Sequence, residues 1–354
     1  MQAAGTAENS GMDEIAERIM GAERERKKLA AEIRASGAHY SKALEEELVY
    51  KVQERAAGGK ICAIDGGLLA QEFHGFDLLL SRAVAVLYEY DGSGKVARHD
   101  YWPSKAPEPK AHALGGLDLR EFAWHQSLFR LEQELDAALK AMEKFEPKLL
   151  LLDGSIAPQI ADKPAGGSEL REIYEGVIAR YRMLFEYAQA KSCGVAGVIK
   201  DSRGKRFMEI IGEGKGGAMG HATDTSFLTH LLKEGERTFM FSYVSKPEND
   251  PVIKDLGEWG GKVNAFYLKP SAEDRPLRVE FLEGIGVDPK DIAETVQALC
   301  RINRKYAYPA ILIEADMRAA LDRREMDRAY RRLFLKAGGA SGIMKLRRDE
   351  RPFR

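Results

Sequence analysis

The spacing of apolar positions changes several times along the chain, and each change marks an element. From about Met12 to Ala57 the sequence is rich in Glu, Lys, Arg, Ala and Leu with few breakers. That composition predicts helix until Gly58-Gly59 ends it. Lys60-Ile61-Cys62-Ala63-Ile64-Asp65 is a short apolar run stopped by Gly66-Gly67, which predicts a buried strand delivering an aspartate into a turn. Residues 78–90 predict a second strand, Asp91-Gly92-Ser93-Gly94 a hairpin turn, and 95–102 the returning strand. Three prolines and two glycines make 103–116 a loop. Trp124, Leu128, Leu131, Leu135, Leu139 and Met142 keep helical spacing in a helix over about 119–145, ended by Pro147.

Lys148 to Leu152 predicts a third buried strand, again closing on an acid and a glycine, Asp153-Gly154. A helix over about 169–193 leads to a strand over 195–199 and then to Lys200-Asp201. Residues 201–222 are glycine-rich and charged, and read as a mobile loop. Strands are expected at 237–244, 262–269 and 276–283, and a helix from Asp288-Pro289 to about Arg304. Tyr308-Pro309 is a break before a final helix over about 311–335. Hairpins mixed with crossover helices indicate an α/β fold, a sheet flanked by helices with an N-terminal helical extension.

Composition narrows the function classes. The chain has 354 residues, 44% hydrophobic and 31% charged, ordinary for a globular protein with a sizeable core. It contains no apolar run of about 18 residues, so no membrane span is expected. Its N-terminus is polar and unlike a secretory signal. Cys62, Cys193 and Cys300 stand far apart in apolar contexts, which favours buried thiols in a reducing cytoplasm over zinc or disulfides. A net charge of −1 gives no global sign of a nucleic-acid partner. Local charge differs. Lys200, Arg203, Lys205 and Arg206 form one basic cluster able to contact DNA phosphates. From Arg318 to Arg354 there are 12 Lys or Arg against 5 Asp or Glu, which fits either phosphate contact or a solvated helix face with a loose tail.

The candidate chemistry lies in a repeated pattern. Ala63-Ile64-Asp65-Gly66-Gly67 and Leu151-Leu152-Asp153-Gly154-Ser155 each carry a buried strand to an aspartate and a turn. Either alone is an ordinary turn. Together, on neighbouring strands, they would bring two repelling carboxylates to one sheet edge, a conflict that a divalent cation removes. Hard oxygen donors suit Mn²⁺ or Mg²⁺. A third carboxylate follows from geometry. A strand from Lys148 to Asp153 climbs roughly 16 Å, so an antiparallel helix at about 1.5 Å per residue brings Glu134 level with Asp153. Glu132 is the near alternative, and the apolar stripe does not choose between them. Gly212-Glu213-Gly214-Lys215-Gly216-Gly217 lacks the ending and setting of a Walker loop. His99, His112 and His125 show no zinc spacing, and Phe73, Phe76 and Trp102 read as packing rather than base stacking.

These segments, taken in order, resemble the NurA nucleases. The resemblance spans roughly 45–320 and rests on Asp65-Gly66-Gly67, Arg130-x-x-x-Glu134, Leu151-Leu152-Asp153-Gly154-Ser155 and Gly197-Val198-Ile199-Lys200-Asp201-Ser202. It continues through Phe266-Tyr267-Leu268-Lys269, Leu277-Arg278-Val279-Glu280 and Tyr308-Pro309-x-x-Leu312-x-x-Ala315. It implies an RNase H-like core, a homodimer, DNA degradation with Mn²⁺ or Mg²⁺, and partnership with a HerA-type hexameric ATPase at DNA ends. It further implies that Asp65, Glu134 and Asp153 bind metal and that Lys200 handles phosphate. The expected activity is 5′–3′ exonuclease with single-strand endonuclease. The expected division is a helical region over 1–57, a nuclease domain over 58–320, and a C-terminal helix with basic tail over 321–354. One position departs: where the family usually reads Ala-His, this chain reads Ala315-Asp316. Aspartate can bind a hard cation but cannot act as a cation itself at neutral pH. Asp316 is therefore either a metal ligand or the mark of a weakened, DNA-binding relative that still serves a HerA-type partner. An unrelated phosphotransfer enzyme with paired aspartates would need a phosphate loop that the sequence lacks.

Overall fold

The computed structural model describes residues 4–73, 75–115, 117–212 and 222–338, with side chains from residue 11 onward. The glycine-rich run expected as a loop, over 213–221, and the basic tail from 339 lie outside the described residues.

The chain opens with helix α1 (Ala4–Ala35). The sequence predicted helix to residue 57, but the chain leaves it at Ala35 and turns at Gly37, φ +58°. Tertiary partners override helix propensity here. Val49–Lys51 becomes strand β1 and pairs with β8 (Glu236–Thr238), and Glu45 meets the buried Arg237 guanidinium at 2.6 Å.

Strands β2 (Gly59–Glu72) and β3 (Asp77–Tyr90) pair antiparallel over their full length, from Gly59↔Tyr90 to Glu72↔Asp77. Asp91 closes the next hairpin, its Oδ1 accepting from the amides of Ser93 and Lys95, and β4 (Val96–Trp102) returns along β3. The expected loop after it contains β5 (Lys110–Leu114), which pairs the outer half of β3. Helix α2 (Leu119–Phe145) starts at an Asp118 cap and stops where Glu146 turns left-handed. It returns the chain to β6 (Leu149–Asp153), parallel to β2. Helix α3 (Arg171–Lys191) then leads to β7 (Gly194–Ile199), parallel to β6.

Side by side the strands run β4-β3-β2-β6-β7, three antiparallel and then two parallel. This is the RNase H-like arrangement. The hairpin of β10 (Val263–Lys269) and β11 (Leu277–Leu282) extends the sheet beyond β7, with β8 and β1 at the far end. The single strand expected over 237–244 is two pieces, β8 and β9 (Phe241–Ser242). The expected loop over 201–222 contains helix α4 (Arg206–Ile211), which packs beside α5 (Asp224–Leu231) because its four apolar residues are buried.

Two layers of helix sandwich the sheet. Strand alternation sends Cys62 and Ile64 of β2 to the face covered by α2 and α3, and Ile61 and Ala63 to the other. That second face is covered by α6 (Pro289–Leu299) and α7 (Ala310–Ala319). The helix predicted over 311–335 is interrupted after Ala319. A capping box of Asp322 and Glu325 starts α8 (Arg323–Ala337) as a separate helix.

Candidate metal centre

Alternation decides where the aspartates point. Asp65 continues the parity of Ile61 and Ala63, and Asp153 that of Leu149 and Leu151, so both face the α7 layer. β2 and β6 are hydrogen-bonded neighbours in parallel register, Ile64 opposite Leu152, which sets the two carboxylates at one level. Asp316 reaches them from α7. One carboxylate oxygen from each of Asp65, Asp153 and Asp316 lies within 4.8 Å of the others. Asp65 is buried, Asp153 half-buried and Asp316 exposed, so the group opens to solvent on the α7 side.

Glu134 arrives from the opposite layer. It sits on α2 against Gly66, where a Cβ would lie 2.5 Å from its Oε1. The missing side chain at Gly66 lets this carboxylate reach the sheet beside Asp65. Glu132 is turned elsewhere, paired at 2.8 Å with Arg180 of α3. The next glycine has a matching role on the other face. A Cβ on Gly67 would lie 2.1 Å from the Ala319 carbonyl oxygen at the end of α7. Gly66-Gly67 was expected to turn the chain, but β2 runs straight through to Glu72, and neither glycine has positive φ. The pair admits close approach from both helix layers, a packing requirement that looks like a turn in sequence. Gly154 does turn, at φ +123°.

Cations and a phenol hold the acids in place. Arg130 donates to Glu134 Oε1 at 2.6 Å. Lys200 Nζ donates to Asp153 Oδ2 at 2.9 Å, and the Tyr308 hydroxyl lies 2.9 Å from Asp153 Oδ1. Lys200 also stacks over the Tyr308 ring, 4.5 Å from its centroid. Burial, then Asp153 and Glu134, push the Asp65 carboxyl up to about 8. Burial pushes Glu134 up to about 7, although Arg130 pulls against it. Burial works against the charged form of Lys200, but Asp153 more than compensates and its pKa is raised. Four carboxylates face two cations, an excess of negative charge that a hard divalent ion would neutralise.

In the sequence Tyr308 stands as a break and motif residue without a role, and so, within Leu277-Arg278-Val279-Glu280, does Glu280. Its Oε2 accepts from Ser155 Oγ at 2.6 Å and from the Ile156 amide at 3.2 Å, and its Oε1 from buried Arg278 at 2.8 Å. This fixes the turn after Asp153. The signals for Glu280 in the sequence were the resemblance motif it belongs to and an alternating charged pair inside an otherwise apolar strand. Beside that turn opens a cavity of about 670 Å³ lined by Gly154, Ser155, Arg203, Lys205, Arg206 and Tyr243. Arg206 is partly engaged with Glu209 and the Ser242 carbonyl, whereas Arg203 and Lys205 have no carboxylate partner among the described residues. The remaining singled-out residues pack. Phe73 stacks between Phe76 and Tyr330, Trp102 lies against the α2 core, and His125 is buried against His112 and Phe129. His99 sits edge-on to Tyr101. All three cysteines are free and buried.

Comparison with curated proteins returns no match. Among solved structures, the NurA nuclease from Sulfolobus solfataricus aligns with a TM-score of 0.61 at 16% identity, covering 95% of this chain and 98% of that one. A NurA bound to dAMP and manganese aligns with a TM-score of 0.50 at 11% identity, covering 91% and 94%. At these identities the likeness establishes the fold. The family model for the NurA domain matches residues 59–321, a stretch that contains Asp65, Glu134, Asp153 and Asp316, and the chain therefore belongs to the NurA family.

Proposed function

We propose that this protein is a divalent-metal-dependent deoxyribonuclease, a hydrolase of DNA phosphodiesters. One observation carries the reading: carboxylates of Asp65, Asp153 and Asp316, from three separate elements, meet within 4.8 Å, with Glu134 closing the site from α2. The all-oxygen donor set fits Mn²⁺ or Mg²⁺. Such an ion supplies Lewis acidity toward the scissile phosphate and an attacking water. Asp65, Glu134 and Asp153 are its proposed ligands. Asp316 offers a carboxylate oxygen within 4.8 Å of those of Asp65 and Asp153, which favours an active site over a weakened one. Tyr308 orients Asp153, and Arg130 orients Glu134. Lys200 compensates charge on the phosphate oxygens, and Arg203, Lys205 and Arg206 hold the adjoining DNA backbone.

The finer reading follows the family. The activity is 5′–3′ exonuclease with single-strand endonuclease, in a cytoplasmic homodimer working with a HerA-type hexameric ATPase at DNA ends. Exposed Met12, Ile15, Ile19 and Met20 on α1 support a protein interface there. Residues 58–320 form the nuclease domain in this reading, with 1–57 as an N-terminal helical region and 321–354 as a C-terminal helix and basic tail. The test is degradation of single-stranded and duplex-end DNA with Mn²⁺, wild type beside Asp153→Asn. Degradation that survives the substitution, or none by wild type, overturns the reading.

A further inference from the structure

Helix α8 is a basic strip fastened beside the metal centre. Its apolar side is pinned. Met326 is buried with Phe73, Leu78 and Leu80, and the Tyr330 ring stacks on Phe73 at 5.2 Å. Its start is tied to the same sheet that carries Asp65. Arg82, opposite Gly67 in register, donates to the Ala320 carbonyl at 3.2 Å and pairs with Glu325. The helix thus begins at the end of α7, the helix that carries Asp316, and runs outward along the β2–β3 hairpin.

The outward side carries Arg324, Arg328, Arg331, Arg332 and Lys336, all exposed. At 3.6 residues per turn these five fall within about 140° of arc. Arg324 meets only Asp322 at 3.4 Å, and the other four have no carboxylate partner among the described residues. Like charges at i and i+4, as in 324/328 and 328/332, destabilise a helix. The pattern works against α8 in isolation and makes physical sense against a polyanion. From Arg324 to Lys336 the strip is about 18 Å long, close to five base steps at about 3.4 Å each.

We propose that α8 is a docking track for the phosphate backbone of DNA on its way to the metal centre. The proposal rests on the nuclease reading for its ligand, and adds a contact surface outside the clustered acids and outside the Arg203–Arg206 groove. The anchored apolar side fixes the direction of the strip, so the track is rigid and leads to Asp316.

The test uses the full chain carrying Asp153→Asn, without metal, and measures binding of a labelled duplex and of its single strand across a salt series. Replacing Arg328, Arg331 and Arg332 by glutamine should flatten the slope of log affinity against log salt by about two to three. Affinity at moderate salt should fall by roughly tenfold or more. Replacing the same three by lysine should restore both, which separates lost charge from a damaged helix. Loss on the duplex alone, or on both forms, supports the track and identifies the form it holds. An unchanged slope in the glutamine variant overturns the proposal. If wild type fails to degrade DNA with Mn²⁺ while the glutamine variant still loses binding, the nuclease reading fails and the track stands.

Discussion

Gly67→Ala tests the central geometric claim, that the paired glycines of β2 exist for close approach. If they formed a turn or a plain strand, alanine would be harmless or mildly stabilising, by about 0.4–1 kcal/mol, because neither φ is positive and the unfolded chain loses freedom. The structure gives the opposite sign. The new Cβ would stand 2.1 Å from the Ala319 carbonyl oxygen and 2.9 Å from its carbon, where ordinary contact begins at 3.4 Å. The obstacle is backbone and cannot swing away, so the end of α7 must shift by more than an ångström. Overpacking of this kind costs about 1–3 kcal/mol, and the shift carries Asp316 with it. Urea unfolding should show that loss. Gly66→Ala provides the contrast, because its obstacle is the Glu134 side chain. It should cost less stability but drive Glu134 from the site, lowering Mn²⁺ affinity by about 10- to 100-fold in titration calorimetry. A Gly67→Ala protein as stable as wild type would refute the close-approach argument.

The remaining predictions concern charge and hydrogen bonding. Asp65 and Glu134 have folded pKa values of about 8 and 7, above the ordinary carboxyl range. Between roughly pH 5 and 8 the folded state therefore binds more protons than the unfolded one, and stability falls as pH rises. Metal-free protein should melt at a lower temperature at pH 8 than at pH 6, Mn²⁺ should reverse the loss, and Asp65→Asn should flatten the trend; a flat wild-type profile contradicts it. Asp316→Asn should weaken Mn²⁺ binding by about tenfold or more, read by calorimetry, and an unaltered affinity would remove Asp316 from the ligand set. Tyr308→Phe removes a hydroxyl that lies 2.9 Å from both Asp153 Oδ1 and the Val198 carbonyl oxygen, with one proton to donate between them, and should lower DNA cleavage by about 10- to 100-fold, with intact cleavage counting against a role in positioning. Glu280→Ala strands the buried Arg278 charge and should cost about 3–5 kcal/mol of stability, measured by urea unfolding.

Strand-forming runs, crossover helices and the Asp65 and Asp153 motifs were legible in sequence because they are local. Period, caps and turn residues act within a few positions, and α2 begins and ends where they say. Helix geometry brought Glu134 and Glu132 to one level of the sheet. Separating them required the partner each one meets, Gly66 for Glu134 and Arg180 for Glu132. The same limit explains the errors. Residues 36–58 look helical, but a sheet edge and the buried Arg237 recruit them. Gly66-Gly67 looks like a turn because glycine is permissive in both settings, and only the helices packed on each face reveal that space was needed. The amino-acid sequence alone determined the alternating strands, their order of appearance and the carboxylates they carry. Tertiary structure alone decided that Asp65, Asp153 and Asp316 share one face, because that depends on parallel pairing of β2 with β6 and on α7 packing back across them.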